Sequence, residues 1–437
     1  FSSKLQKEKV GLEDVDYDPS QHRKLEHPNT YLGTLVHLLK GSIGTGILAM
    51  PMAVNNAGLV FGLVGLIIVG IISVHSMQMV TGASQTLCRR LKIPSLAFGE
   101  TAEAAFKCGP PRFRKYSNIS RIIVNAVLSF TNYASVCVYV VFIATSAQQL
   151  VEYWVDGYVP NKRVIIAILL VFVIPLGLIR NLKYLTPFSA IADVFTLASL
   201  GITFYYVFRD PVSFEGKKLV GDVSTIPLFF ATCIFSMEGT GTVLPMENSM
   251  KKPKQFVGCF GVLNVTMFIV ISLYLLVGVF GYLKYGNELE GSITLNFDIT
   301  ERPAQVVKIL YAIAILFSCG IQFYIPTQII WSSLEKKVDP KYQNAYQNIF
   351  RIVICCIIVG VAAAVPTLGP IISLVGAFGL SILGLCIPAI IDIVTRWEHG
   401  LGRGYWRLWK NCLLITFAFF ALFTGSYSSI LEIIGEY

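Results

Sequence analysis

Long runs without Asp, Glu, Lys or Arg divide the chain into segments of membrane-spanning length. These charge-free runs cover residues 59–86, 122–151, 255–283, 309–334 and 352–391. About 20 apolar residues cross a bilayer as one helix, so the first four runs predict one helix each. The last run, of 40 residues, predicts two helices that fold back at Pro366-Thr367-Leu368-Gly369-Pro370, because proline and glycine disfavour helix.

Further apolar segments raise the predicted number of spanning helices to eleven; they cover residues 31–58, 164–179, 184–208, 223–246 and 411–431. Hydrophobic residues make up 54% of the chain and charged residues 14%, against about 25% charged residues in soluble domains. The sequence therefore predicts an all-α polytopic membrane protein. Residues 1–28 are polar and predict a disordered cytoplasmic tail, followed by a membrane domain over residues 29–437.

The positive charges predict how the chain is oriented in the membrane. With the N-terminus in the cytoplasm, the cytoplasmic segments hold 24 of the 35 Lys and Arg residues, as short cytoplasmic loops usually do. Eleven helices then place the C-terminus on the extracytoplasmic side. Topology and contact with anionic inner-leaflet lipids account for the net charge of +9. No separate basic face indicates a nucleic-acid partner.

Two short sequences inside apolar segments echo each other. Gly44-Thr45-Gly46-Ile47-Leu48-Ala49-Met50-Pro51-Met52 lies in predicted helix 1, and Gly239-Thr240-Gly241-Thr242-Val243-Leu244-Pro245-Met246 lies in predicted helix 6. A helix can break inside a membrane only where protein or a cavity surrounds the break, and paired breaks are typical of transporter binding sites. The pattern predicts a LeuT-like 5+5 inverted repeat over residues 31–208 and 223–396, with helices 1 and 6 discontinuous and an extra helix over residues 405–434.

The two predicted breaks offer opposite ends of peptide dipoles. After the first break, unpaired N–H groups favour a carboxylate; around the second, carbonyl oxygens and a glutamate favour an ammonium group. Together they predict a site for a zwitterion such as an α-amino acid. The candidate substrate-binding residues are Ser42, Ile43, Gly44, Thr45, Gly46, Asn132, Tyr133, Phe235, Ser236, Glu238, Gly239 and Thr240, and the candidate gating residues are Gln322 and Tyr324.

Ionisable side chains inside a bilayer are costly and usually functional, so His37, Lys40, Asp193 and Glu238 are the candidate proton-coupling residues. His37 and Lys40 share one helical face leading to the first break, and a histidine changes charge near neutral pH. Glu238 either exchanges a proton or accepts hydrogen bonds from unwound backbone. Asp193 and Lys40 have similar depths, which predicts an ion pair because either charge alone would be costly.

The first predicted helix resembles a known family. His37-Leu38-Leu39-Lys40-Gly41-Ser42-Ile43-Gly44-Thr45-Gly46-Ile47-Leu48, followed by Pro51 and Asn56-Ala57-Gly58, is similar to the first-helix signature of the proton-coupled amino acid transporters. These belong to the amino acid/auxin permease branch of the amino acid–polyamine–organocation superfamily. The resemblance extends to Leu244-Pro245-Met246-Glu247-Asn248. It implies symport of small neutral amino acids (glycine, alanine or proline) with protons by alternating access, with His37 central to proton coupling.

Other functional classes find less support in the sequence. No nucleophile elbow and no metal-binding histidine pair is present, so neither an enzyme nor a cofactor or metal site is predicted. A channel is disfavoured because no selectivity-filter motif is present. A sodium-coupled transporter and an amino acid sensor with little flux remain the alternatives. The plasma membrane is the expected location, with an endolysosomal membrane as the alternative, and the sequence specifies no oligomeric state.

Overall fold

The computed structural model describes residues 17–23, 28–155, 158–237 and 239–435, without the side chains of residues 182, 183, 186, 399 and 403. Within these ranges every regular element is helical, and a single isolated bridge pairs Asn29 with Met250. The predicted all-α class is confirmed.

The described residues form sixteen α-helices. They are α1 Tyr31–Ser42, α2 Thr45–Ala57, α3 Leu59–Leu91, α4 Phe98–Cys108, α5 Ser117–Trp154, α6 Lys162–Leu178, α7 Leu182–Arg209, α8 Ile226–Ser236, α9 Thr240–Asn248, α10 Val262–Tyr285, α11 Arg302–Leu334, α12 Gln343–Ala364, α13 Leu368–Val375, α14 Ile387–Arg396, α15 Trp406–Phe420 and α16 Ser426–Gly435. A π-helical segment, Gly376–Cys386, joins α13 to α14, and another, Ala421–Gly425, joins α15 to α16.

The number of membrane-spanning helices agrees closely with the sequence prediction. Among the described residues, nine helical segments are long and apolar enough to cross a bilayer, and the bent pair α1 and α2 makes a tenth. The predicted fold-back after residue 364 is confirmed, since α12 ends at Ala364 and α13 begins at Leu368. The remaining predicted span is α6, which has 17 residues and extends for about 25 Å at ~1.5 Å per residue. The total of eleven therefore stays a prediction.

Helix packing repeats after every fifth predicted span. α10, which forms the seventh predicted span, packs on α2 of the first span. In the same way α3, which forms the second span, packs on α8 and α9 of the sixth span. α5 packs on α12 as α11 packs on α6, and α3 packs on α14 as α10 packs on α7. Exchanging each span with the span five places later thus preserves the neighbours. This is the packing expected of the predicted 5+5 repeat.

Part of the predicted disordered tail is ordered. Pro19–His22 forms a 3-10 turn, and the Arg23 guanidinium lies 3.1 Å from the Glu247 carboxylate, which is fully buried. Arg23 also donates to the backbone oxygens of Glu247 and Pro94. For residues 17–23 the prediction of disorder is wrong, because a partner distant in sequence neutralises the arginine. The rest of the tail, residues 1–16 and 24–27, lies outside the described residues.

A second contact of this segment is electrostatic. The Asp18 carboxylate accepts hydrogen bonds from Ser20 and forms an ion pair with Lys254 at 3.0 Å. The Ser20 hydrogen bonds and the Lys254 ammonium together lower the pKa of Asp18 to about 2. Asp18 therefore stays charged at any pH that a physiological proton gradient reaches.

Glycines let the π-helical segment Gly376–Cys386 lie directly on α8 and α5. A Cβ at Gly376 would overlap the carbonyl oxygen of Ala231 in α8, and one at Gly379 would lie 2.9 Å from the Thr131 hydroxyl oxygen in α5. Real Cβ atoms do not come so close, so both glycines are required by packing. At Gly384 the nearest atom would be 3.6 Å away, at Thr240, which is an ordinary contact.

We expect Gly376→Ala to destabilise the fold by roughly 1–3 kcal/mol, the usual cost of overpacking. The measurement is thermal unfolding of the purified protein in detergent. Gly384→Ala is the matched control, since it lies in the same π-helical segment and has room for a methyl group. Equal unfolding temperatures for the two variants would contradict the conclusion that packing requires a glycine at position 376.

Candidate functional site

The first predicted helix break is confirmed. α1 ends at Ser42 and α2 begins at Thr45, with their axes bent by 52°. Ile43 and Gly44 connect them, and the Gly44 N–H donates to the Ser42 oxygen at 3.1 Å. The first N–H groups of α2 and the last carbonyls of α1 consequently lose the regular partners of a continuous helix. Both kinds of free peptide group occur at one depth.

The second predicted break is also present. α8 ends at Ser236 and α9 begins at Thr240, with Gly239 at the start of the resumed helix. Glu238 lies outside the described residues, so its predicted roles in substrate binding and proton transfer stay predictions. The backbone therefore supports the chemistry expected of the site, whereas the central carboxylate has no described geometry.

The two broken helices touch at Gly46 and Ser236. The Ser236 hydroxyl oxygen lies 3.1 Å from the Gly46 oxygen and 2.8 Å from the Thr232 oxygen, to which it can donate. A Cβ at Gly46 would lie 2.7 Å from the Ser236 Cα, so only glycine permits this approach. Gly46 thus has a packing role. Gly44 differs, because a Cβ there would meet no atom within 4 Å.

An open stripe, which we define as His37, Gly41 and Gly44, runs along one face of α1 to the first break. His37 is exposed, and a Cβ at Gly41 or Gly44 would meet open space. Of the twelve residues of α1 two are buried, whereas ten of the thirteen residues of α2 are buried. α1 therefore lies mostly at the surface of the molecule, whereas α2 is enclosed by other helices.

Lys40 and Asp193 form the ion pair that the sequence predicts. The Lys40 ammonium contacts the Asp193 carboxylate, and both side chains are about three-quarters buried. The pair links α1 to α7, two elements that otherwise have little mutual contact. The geometry of this prediction is confirmed, and its role in proton coupling stays a prediction.

Phe235 and Thr240 lie between the broken helices and their neighbours, and a third candidate, Asn132, is buried in α5. Phe235 approaches the π-helical segment, since a Cβ at Gly376 would lie 2.9 Å from the Phe235 Cβ. Thr240 lines a cavity of about 10 Å³ between α3, α8 and the π-helical segment, which is room for about one water. Asn132 is buried and donates to the Leu128 oxygen of its own helix at 2.7 Å.

The remaining candidates lie on the packed helices α5 and α11. The Tyr133 hydroxyl lies 3.0 Å from the Thr327 hydroxyl, and the Tyr133 ring packs against Phe323 at 5.6 Å between ring centres. Gln322 and Tyr324 flank Phe323 and are half-buried. These contacts join α5 to α11, and the gating roles of Gln322 and Tyr324 stay predictions.

Tyr274 joins both breaks and was missed by the sequence analysis. It lies in the middle of α10, is fully buried, and its hydroxyl oxygen lies 2.6 Å from the Ser42 oxygen and 2.9 Å from the Ser236 oxygen. The chain has 20 tyrosines, and nothing local distinguishes this one inside an apolar run. A buried Tyr hydroxyl usually needs a partner, which is the signal that could have suggested it.

Comparison with known proteins points to one family. Residues 27–431 match the family described as "Transmembrane amino acid transporter protein". The chain is 40% identical over 422 residues to the proton-coupled amino acid transporter-like protein pathetic of Drosophila melanogaster, covering 97% of this chain and 89% of that protein. It is 28% identical over 412 residues to vacuolar amino acid transporter 3 of Saccharomyces cerevisiae, covering 91% of this chain and 56% of the yeast protein.

Two solved structures to which the chain is similar are distant in sequence. One is MhsT in complex with L-phenylalanine, at 13% identity and a TM-score of 0.49, covering 93% of this chain and 100% of that chain. Another is a substrate-bound outward-open Na⁺-coupled sialic acid symporter, at 13% identity and a TM-score of 0.46, covering 96% of this chain and 92% of that chain.

We expect the residues of the open stripe to contact water and not lipid. In a background without exposed cysteines, Gly41→Cys and Gly44→Cys should react with a membrane-impermeant thiol reagent, because both positions face open space. Ala49→Cys in α2, where Ala49 is 2% exposed, is the unreactive control. Labelling is measured as the mass shift of the intact protein in vesicles. If lipid covers the stripe, both cysteines will stay unlabelled.

We expect Lys40 and Asp193 to be energetically coupled. A double-mutant cycle with Lys40→Gln and Asp193→Asn should give an interaction energy of roughly 0.5–3 kcal/mol, as for contacting residues. The matched control is the pair Lys218 and Asp222, which is exposed and spaced i,i+4, and should give at most about 0.5 kcal/mol. Both cycles are measured by thermal unfolding, and similar coupling in the two would contradict the prediction.

Proposed function

We propose that this chain, which belongs to the transmembrane amino acid transporter family, moves small neutral amino acids in symport with protons by alternating access. The observation that carries the proposal is the meeting of two broken helices, α1–α2 and α8–α9, at one place. There the free N–H groups of α2 complement a carboxylate, and the carbonyls of the second break that Tyr274 does not occupy complement an ammonium group.

The close packing around the breaks supports the proposal that the substrate is small. Gly46 holds α2 directly on Ser236, and Phe235 lies against the π-helical segment of the last repeat. Open space is present beside Gly44, where the substrate backbone would approach the N–H groups. A large side chain would have to displace the contact between α2 and α8, which favours glycine, alanine or proline.

Proton coupling is supported by the position of His37. The imidazole lies at the open end of the stripe that reaches Gly44, so a proton could exchange with water on the same route as the substrate. Histidine is the side chain best suited to such exchange near neutral pH. The Drosophila relative is named a proton-coupled amino acid transporter-like protein, in agreement with this proposal.

The direction of opening gives the proposed state of the transport cycle. If the N-terminus is cytoplasmic, as the charge distribution predicts, the exposed half-helix α1 lies on the cytoplasmic side, and a water-filled space along it would make this an inward-open state. The plasma membrane remains the proposed location, and the yeast relative, named a vacuolar transporter, favours the endolysosomal alternative.

We expect purified protein in proteoliposomes to accumulate radiolabelled glycine when an inward proton gradient is imposed at constant sodium. With one proton per amino acid, each pH unit supplies about 1.4 kcal/mol and raises the accumulation ratio up to about tenfold. His37→Gln should abolish this accumulation yet retain exchange of internal for external glycine, because exchange needs no net proton movement.

Val36→Ala is the matched control, since Val36 is the exposed neighbour of His37 on α1 and carries no proton. Accumulation by His37→Gln at the wild-type level would contradict the role of His37. Accumulation driven by a sodium gradient alone would favour the sodium-coupled alternative, and saturable binding without uptake would favour a sensor.

A further inference from the structure

The Tyr274 hydroxyl contacts the end of each helix segment that precedes a break. Its oxygen lies 2.6 Å from the Ser42 oxygen at the end of α1 and 2.9 Å from the Ser236 oxygen at the end of α8. Both distances are those of good hydrogen bonds between oxygens. The side chain has no exposed surface, so water does not compete for these contacts.

The two carbonyls would otherwise repel each other. Each is a C-terminal carbonyl of a helix and carries part of the negative end of its dipole. Such converging helix C-termini and unwound carbonyls are where coupling cations bind in transporters with broken helices. Here the point between them is taken by a phenolic hydroxyl, whose single proton serves one carbonyl at a time.

The packing of α10 holds the hydroxyl at this point. Tyr274, Gly278 and Gly281 share one face of the helix by their spacing. A Cβ at Gly278 would lie 3.3 Å from the Met50 Cβ, and one at Gly281 would lie 2.6 Å from the ring of Pro51. The two glycines therefore let α10 lie directly on α2, and this approach brings the Tyr274 hydroxyl to the breaks.

The side chains nearest the breaks do not replace this donor. The Ser236 hydroxyl is directed to the Gly46 and Thr232 oxygens, away from its own carbonyl. The Ser42 oxygen accepts in addition the Gly44 N–H at 3.1 Å, which fits the two lone pairs of a carbonyl. Tyr274 thus links the ends of α1 and α8 from a third helix, in addition to the direct contact of Ser236 with Gly46.

We propose that Tyr274 is a positioning residue that holds the C-terminal ends of α1 and α8 together in the place of a coupling cation. This inference rests on the proposed function, since it assigns coupling to protons at another position and leaves the carbonyl pair to a neutral donor. When α1 moves relative to α8 during transport, the hydroxyl must release one carbonyl, so Tyr274 also links the movements of the two broken helices.

The test replaces the hydroxyl and keeps the ring. Tyr274→Phe should lower the maximal rate of proton-driven glycine uptake roughly tenfold, the effect of losing one buried hydrogen bond, with the KM changed less. The matched control is Tyr282→Phe on the same helix, where Tyr282 is 1% exposed and its hydroxyl accepts the Lys218 N–H. It should keep uptake within about twofold of the wild type, because a surface-side contact is lost.

Sodium dependence is the second readout. Wild-type uptake should not change when sodium replaces choline at constant pH. The residual uptake of Tyr274→Phe should rise with sodium or lithium concentration, because a cation can then occupy the space between the two carbonyls. Uptake by Tyr274→Phe that equals Tyr282→Phe in rate, with no sodium effect, would overturn the proposal and leave proton symport standing.

Two further outcomes separate this proposal from the proposed function. Wild-type uptake that requires sodium would overturn both, whereas wild-type uptake driven by neither ion would refute only symport. If Tyr274→Phe does not fold, 4-fluorophenylalanine at position 274 keeps the length of the side chain and has no proton to donate. Its uptake should show the same loss of rate and the same rise with sodium, and uptake at the rate of Tyr282→Phe without a sodium effect would overturn the proposal.

Discussion

The structure depends on one constraint, which is that peptide groups inside a bilayer need hydrogen-bond partners. Each helix break frees carbonyls and N–H groups inside the membrane domain, where a group without a partner costs several kcal/mol. Here side chains on neighbouring helices supply the partners. The Ser236 hydroxyl is within hydrogen-bond distance of the Gly46 carbonyl oxygen, and the Tyr274 hydroxyl is within hydrogen-bond distance of the Ser42 and Ser236 carbonyl oxygens. The peptide groups left over are those that can bind a substrate.

The two halves of each broken helix are held by different forces. Close glycine contacts fix α2 and α8: Gly46 on Ser236, Gly281 on Pro51 and Gly376 on Ala231. Such contacts depend on complementary shape and resist small displacements, because protein interiors are closely packed. The other halves, α1 and α9, have charged partners instead, Asp193 for Lys40 and Arg23 for Glu247. Ion pairs can exchange their partners for water, so these halves are suited to move in the proposed transport cycle.

The proposed opening would explain why α1 is poorly packed. A half-helix that must swing away during transport cannot bury a large apolar surface, because each buried side chain would add roughly 1.5–3 kcal/mol to the barrier. Only Thr34 and Leu38 of α1 are buried. The open stripe, with His37 at one end and Gly44 at the other, is the surface that this loose packing leaves accessible.

The sequence by itself determined both breaks, the fold-back before α13 and the pairing of Lys40 with Asp193, because each follows from chemistry that local pattern and depth express. Only the tertiary structure decided that Gly46 packs while Gly44 faces open space, that Arg23 reaches Glu247 and that Tyr274 bridges the breaks. Those contacts join residues up to 232 positions apart, and their existence depends on which helix faces meet. Periodicity along one helix does not contain that information, since a buried tyrosine and a lipid-facing one look alike in an apolar run.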